Sequence, residues 1–208
     1  MKKYFFEPMN LSIPEKVKAV EFIFQELSSE IEKFQKISGL SCLTGCSQCC
    51  KKPDIEATIL EFLPLAYHLY ENNLAYESLE RLQKNPDDTI CALFTTTKIG
   101  SFGSGCSNYN YRGLICRLFG FSASTDKNGN PQLATCKIIK ENQKKEYDKI
   151  VEDLKTGTSI PIMNQYYMKL LSIDMNLAKD FYPINKAMQQ AIETVLTFYE
   201  YSKAENNE

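Results

Sequence analysis

The 208-residue chain has a single histidine, His68, no surplus of positive charge, and no apolar run approaching the length of a membrane span. Each shortage excludes something. With 24 lysines and arginines against 26 acids, the net charge of -2 leaves no basic footprint for nucleic-acid phosphates. A transmembrane helix needs about 18 or more apolar residues in succession, and the opening MKKYFFEPMNLSIPEK meets Glu7 and Pro8 before a secretory apolar segment develops. The expectation is a cytoplasmic protein with neither nucleic acid nor membrane as partner. Metal-free catalysis is also hard to build: no serine-histidine-acid arrangement can be proposed, and GSFGSG at 100–105 lacks the lysine and strand-helix context of a phosphate cradle. His68 lies beside Tyr67 and Leu69 in an apparent helix, where a surface or satisfied core position outweighs a ligand role.

What the sequence does have is sulfur. All eight cysteines fall between Cys42 and Cys136, four of them inside CLTGCSQCC: Cys42, Cys46, Cys49 and Cys50. Cys91, Cys106, Cys116 and Cys136 follow singly. In a reducing compartment, closely spaced cysteines hold metal or do chemistry more often than they cross-link. In a secreted chain the even count would allow disulfides. Thiolates are soft ligands that select zinc or iron-sulfur clusters, and both accept four cysteinates. Cys49 and Cys50 are neighbours, and in an extended backbone their side chains would point to opposite faces. They are therefore expected to serve two metals, or one metal and one structural role.

The flanks read as helices. Ile13, Val17, Val20, Phe24, Leu27, Ile31 and Phe34 alternate at spacings of four and three, so a helix is expected over about 13–37. Ser12 and Glu15 form a capping-box pattern, Pro14 sits in the first turn, and Gly39 is a stop. Ile184, Met188, Ala191, Val195 and Phe198 form a second stripe and Ile162, Tyr166, Leu170 and Ile173 a shorter one. Pro183 is expected to break the two into a helical hairpin. Segment 140–155 reads as one exposed helix. Thr58 and Glu61 suggest another capping box before a helix kinked or restarted at Pro64, with a short helix at 74–84. LFGFSASTDKNGNPQLATC reads as a small hairpin turning at Asn128-Gly129. The fold class expected is mainly α: a single domain over 1–208, with helical flanks at 1–41 and 137–208 packing on an irregular cysteine-rich metal-binding core at 42–136. Those flanks offer faces for a protein partner.

The C-x3-C-x2-C spacing of Cys42, Cys46 and Cys49 resembles the cluster motif of radical S-adenosylmethionine enzymes. Gln48 stands where an aromatic residue is usual, however, and their alternating strand-helix pattern is absent. CLTGCSQCC, CALF from Cys91 and CSNYNYRGLICRLFGF from Cys106 together resemble the YkgJ-like cysteine-cluster family of zinc- or iron-chelating proteins with a CxxCxxCC core. Cys106, Tyr109, Arg112, Cys116 and Arg117 occupy the family's ordered Cys, Tyr, Arg-Pro and Cys-Arg positions, and Cys136 is similar to its trailing cysteine.

The resemblance implies metal binding by all eight cysteines, the metal being zinc or an iron-sulfur cluster. Arg112 and Arg117 are candidate cofactor-binding residues that offset the negative charge of a thiolate site. Tyr109 is assigned to packing. Gly113 replaces the usual proline, so the loop before Cys116 is expected to be less rigid. Flagellin lysine methylase looks like a relative with the same core, which raises an alternative: an iron-sulfur enzyme using S-adenosylmethionine. No methyl-donor pocket can be read from the sequence, and metal binding is the preferred function.

Overall fold

The computed structural model describes residues 11–42, 46–96 and 105–205. Its longest helix follows the strongest sequence pattern: α1 (Ile13–Ser38) buries Ile13, Val17, Val20, Phe24, Leu27 and Phe34 along one face. The Glu15 carboxylate accepts from the Ser12 amide at 2.8 Å and its hydroxyl at 2.7 Å. Gly39 closes the helix at φ 72, donating its N–H to the Gln35 carbonyl at 2.9 Å.

A 3₁₀ turn at Gln48–Lys51 leads to β1 (Glu56–Ala57), then α2 (Leu63–Glu71) and α3 (Ala75–Lys84). The expected box at Thr58–Glu61 starts a separate 3₁₀ turn, Leu60–Phe62, and the α-helix restarts at Leu63 with Pro64 in its first turn. There the missing proline N–H costs nothing. β2 (Phe94–Thr95), β3 (Gly105–Cys106), α4 (Leu114–Leu118), β4 (Ser122–Thr125) and β5 (Pro131–Ala134) follow. The β4–β5 pair is the expected hairpin. Its turn is held by the Asp126 carboxylate, which accepts the Asn128 and Asn130 amides, each at 2.8 Å, with Gly129 at φ 83. The glycine-rich stretch 100–104 lies outside the described residues, and Gly105 opens β3.

The chain ends with α5 (Lys137–Asn142), α6 (Lys144–Lys155), α7 (Met163–Ile173), α8 (Met175–Ala178), β6 (Tyr182–Pro183) and α9 (Ile184–Glu205). Segment 140–155 is therefore two helices, broken at Gln143 (φ -127, ψ 42), and α6 buries Ile150 and Leu154. Pro183 does interrupt the helices, but α7 and α9 do not form a hairpin: α7 packs on α1, whereas α9 packs on α2 and α3. Tyr182 and Pro183 instead pair antiparallel with Ala57 and Glu56, which fixes the start of α9 against the middle of the chain. Two-residue strands carry no alternation to read, so sequence pattern gives no sign of this pairing or of β2–β3.

Two apolar clusters organise the molecule. The larger joins α1, α2, α4, α7 and α9 through Val20, Leu27, Leu63, Leu114, Leu118, Leu170, Ala187 and Val195. The smaller gathers Phe34, Leu40, Phe121, Ala123, Ile139, Ile150 and Leu154 around the far end of α1. The chain is thus mainly helical, with small antiparallel strand pairs. Among the described residues, no helix is long and apolar enough to cross a membrane.

Candidate metal centre

The cysteines sit on short elements. Cys49 and Cys50 lie in the Gln48–Lys51 turn and Cys106 in β3, Cys116 is in α4, and Cys136 is the N-cap of α5. Cys91 follows a run of bends, with its N–H donating to the Cys50 carbonyl at 3.4 Å. β2–β3 pairing sets Phe94 opposite Cys106, and the Ser107 amide donates to the Leu93 carbonyl at 2.8 Å, so the Cys91 and Cys106 segments lie side by side. None of the eight cysteines, all of them among the described residues, is joined in a disulfide.

Their mutual influence shows which sulfurs share space. Cys42 feels the charges of Cys46, Cys49 and Cys136. Cys50 feels Cys49, Cys91 and Cys106, and Cys116 feels Cys91, Cys49 and Cys106. Cys49 thus borders both neighbourhoods. Burial, the largest influence, raises the Cys106 and Cys116 thiols and pushes Cys91 up to about 11. Backbone amides favour the thiolate at two sulfurs, Leu93 and Phe94 on Cys91 and Asn108 on Cys106, and the Ile139 amide donates to the Cys136 sulfur at 3.4 Å.

Cys49 and Cys50 depart from the opposite-face expectation. The 3₁₀ backbone turns both sulfurs to one side, because it rotates neighbours by about a third of a turn and not a half. The Cys50 thiol donates to the Cys49 sulfur, which lowers Cys49 to about 6 and raises Cys50.

The two arginines behave differently. Arg112 lies 3.7 Å from the centroid of the Tyr109 ring, and its charge adds to the lowering of Cys49 and partly opposes the rise of Cys42 and Cys106. Its Nε and Nη1 are buried and have no hydrogen-bond partner. Arg117 donates instead to the Arg112 carbonyl at 3.1 Å and the Asn110 carbonyl at 2.6 Å, with its guanidinium over Phe24. Burial, then the Arg112 charge, lowers it to about 10. Its N–H groups are spent on shaping the loop. Tyr109 is mostly exposed and serves as the platform for Arg112. His68 stacks on Tyr111 at 4.0 Å and pairs with Asn72, away from the sulfurs.

Three polar residues that sequence reasoning missed pin the cysteine-bearing segments to the helices. Gln143, between α5 and α6, accepts the Ser41 N–H at 2.8 Å and donates to its carbonyl at 2.7 Å, next to Cys42. Asn185, in the first turn of α9, accepts the Ala92 amide and donates to the Asp88 and Ile90 carbonyls, each at 2.8 Å, holding the Cys91 loop from both sides. Glu61 is fully buried: one carboxylate oxygen takes the Thr58 amide at 2.7 Å, the other the Ile115 amide at 2.8 Å beside Cys116. The capping-box pattern announced the first contact of Glu61. Nothing in the sequence announces the second, 54 residues away.

Gly113 follows from that contact. Its φ of -63 is one that proline adopts, so backbone freedom is not what glycine supplies here. A Cβ at this position would meet the Glu61 Oε2 and Phe62 Cζ at 2.8 Å each. Glycine permits close approach here, and Gly113 itself is buried.

Among the described residues, no three cysteine, histidine or acidic side chains stand close enough to hold an ion as they are. The donor set is nonetheless all sulfur, amides already point at several of the sulfurs, and Arg112 presents buried N–H groups lacking an acceptor. Those features suit zinc or an iron-sulfur centre. A mainly helical protein carrying a reduced cysteine cluster is the class that fold and site define.

The family comparison agrees with that class: the model named CxxCxxCC and described as "Putative zinc- or iron-chelating domain" matches residues 41–150, more than half of the chain, and the chain belongs to that family. Neither a curated protein nor a solved structure matches it.

Proposed function

We propose that the chain is a metal-binding protein whose cysteines hold metal in two four-sulfur sets, Cys42, Cys46, Cys49 and Cys136 in one and Cys50, Cys91, Cys106 and Cys116 in the other. The observation that carries this reading is that Cys42 has Cys46, Cys49 and Cys136 as neighbours while Cys50 and Cys116 share Cys91 and Cys106, with Cys49 also acting on all four members of the second set. Eight cysteines, divided by the four that close a structural zinc or an iron-sulfur site, give two sites.

The bound metal supplies charge neutralisation and folding energy. The chain's own residues do the rest. Gln143, Asn185 and Glu61 set the separation of the segments that bring Cys42, Cys91 and Cys116, and Arg112 offers its buried N–H groups to the negative charge that the thiolates bring.

Anaerobic purification followed by elemental analysis and an absorption spectrum tests the proposal. The expected result is about two zinc ions per chain in colourless protein, or iron with matching inorganic sulfide and visible absorbance. Serine at Cys91 and Cys106 should abolish one site while sparing the other. Full metal content in that variant, or wild-type protein purified without metal and with all eight thiols open to a thiol reagent, overturns it.

A further inference from the structure

Away from the cysteines, the last turns of α9 meet the corner between α2 and α3 around a cavity of about 290 Å³. Its lining includes Tyr70, Tyr76, Tyr199, Leu196, Glu71 and Glu200; among the described residues, no lysine, arginine or histidine lines it. Tyr70 and Tyr199 stack at 4.2 Å with their planes within 8°. Phe198 braces Tyr199 edge-on at 5.1 Å, and the Tyr76 hydroxyl donates to Glu200 Oε1 at 2.7 Å. The rings are therefore held by partners before any ligand arrives.

The chemistry of this lining is selective. Aromatic faces carry negative potential, and two carboxylates beside them add to it, with no compensating cation among the described lining residues. A neutral apolar ligand would gain nothing from the carboxylates. A small metal ion or a primary ammonium is strongly hydrated and gives up water at high cost on aromatic walls. An alkylated ammonium carries positive charge on a weakly hydrated, apolar surface, and it gains from both rings and carboxylates.

We propose that this cavity is a binding site for a quaternary ammonium group, held against Tyr70, Tyr76 and Tyr199 and neutralised by Glu71 and Glu200. The site is independent of the metal reading.

The test is a titration of the full chain, with its tyrosine rings isotopically labelled, followed by NMR. The probes are choline, tetramethylammonium and 3,3-dimethylbutan-1-ol, the uncharged carbon isostere of choline. Choline and tetramethylammonium should shift the Tyr70 and Tyr199 resonances, and choline should bind about tenfold more tightly than the isostere. Tyr70→Leu should weaken choline binding about tenfold and Glu71→Gln severalfold. Glu71 is exposed, so the second variant keeps its fold if the first does not. A short peptide carrying trimethyl-lysine distinguishes a protein side chain from a small metabolite as the source of the group, by which of the two probes binds more tightly. Equal affinity for choline and its isostere, unchanged affinity in Glu71→Gln, or no tyrosine shift at saturating probe overturns the proposal.

Discussion

The α1–α2–α9 bundle and the cysteine-bearing segments are held by different physics. The bundle buries long apolar stripes: Val20, Leu27, Leu63, Ala187, Ala191 and Val195 have no exposed surface. At roughly 1.5–3 kcal/mol per fully buried large aliphatic side chain, that stripe opposes the entropy of ordering two long helices and the shorter α2 between them. The cysteine segments are built from two-residue strands, 3₁₀ turns and a five-residue helix, and Cys42 and Cys49 are exposed. Elements that short stabilise themselves poorly. They are held by the single polar clamps of Gln143, Asn185 and Glu61 and, on the proposed reading, by metal. The lesson is a division of labour: one region supplies the frame, and the other, on the proposed reading, takes its order from bound metal.

Removing the metal should separate the two regions most sharply. With a strong chelator under reducing conditions, amide exchange should become fast over 46–57, 88–96 and 105–118, while the central amides of α1 and α9 stay protected. Equal loss in both regions would break the comparison. A blow to the frame should do the reverse in kind: Leu27→Ala is expected to cost about 3 kcal/mol in urea-induced unfolding and to destabilise both regions together, because the clamps are rooted in the helices.

Smaller effects are expected at the seam. Glu61→Gln gives one of the two amides it now accepts a poor partner, costing about 1–3 kcal/mol. The same variant should flatten a pH dependence. Burial foremost raises the Glu61 carboxyl from 4.5 to about 7, so the folded state holds the proton more tightly than the unfolded one. Stability should therefore fall as pH rises from about 4.5 to about 7 in the wild type, and this slope should vanish in Glu61→Gln. Thermal melts across that range measure it. Asn185→Ala should have the smallest effect on global stability, about 1 kcal/mol, yet it should release the Cys91 loop, read as faster labelling of Cys91 by a thiol reagent.

Much of the frame was legible from the sequence because its signal is periodic and local. The α1 stripe, its Ser12–Glu15 cap and its Gly39 stop all lie where the pattern places them. The Asn128-Gly129 turn and the break at Pro183 are equally local. The helical hairpin was misread because a break says where a helix ends and nothing about which neighbour it packs on. Segment 140–155 was misread as one helix because Gln143 leaves its helical conformation to bond Ser41, about a hundred residues distant.

By itself the sequence determined a sulfur-rich middle between amphipathic helices, since periodicity and ligand type are properties of residue order. Only the tertiary structure decided that Gln143, Asn185 and Glu61 hold the cysteine segments, that Arg112 faces the sulfurs while Arg117 is spent on backbone carbonyls, and that Cys49 and Cys50 turn to the same side. Each of those outcomes depends on a contact between distant segments or on the local twist of the backbone. Neither is written in any short stretch of residues.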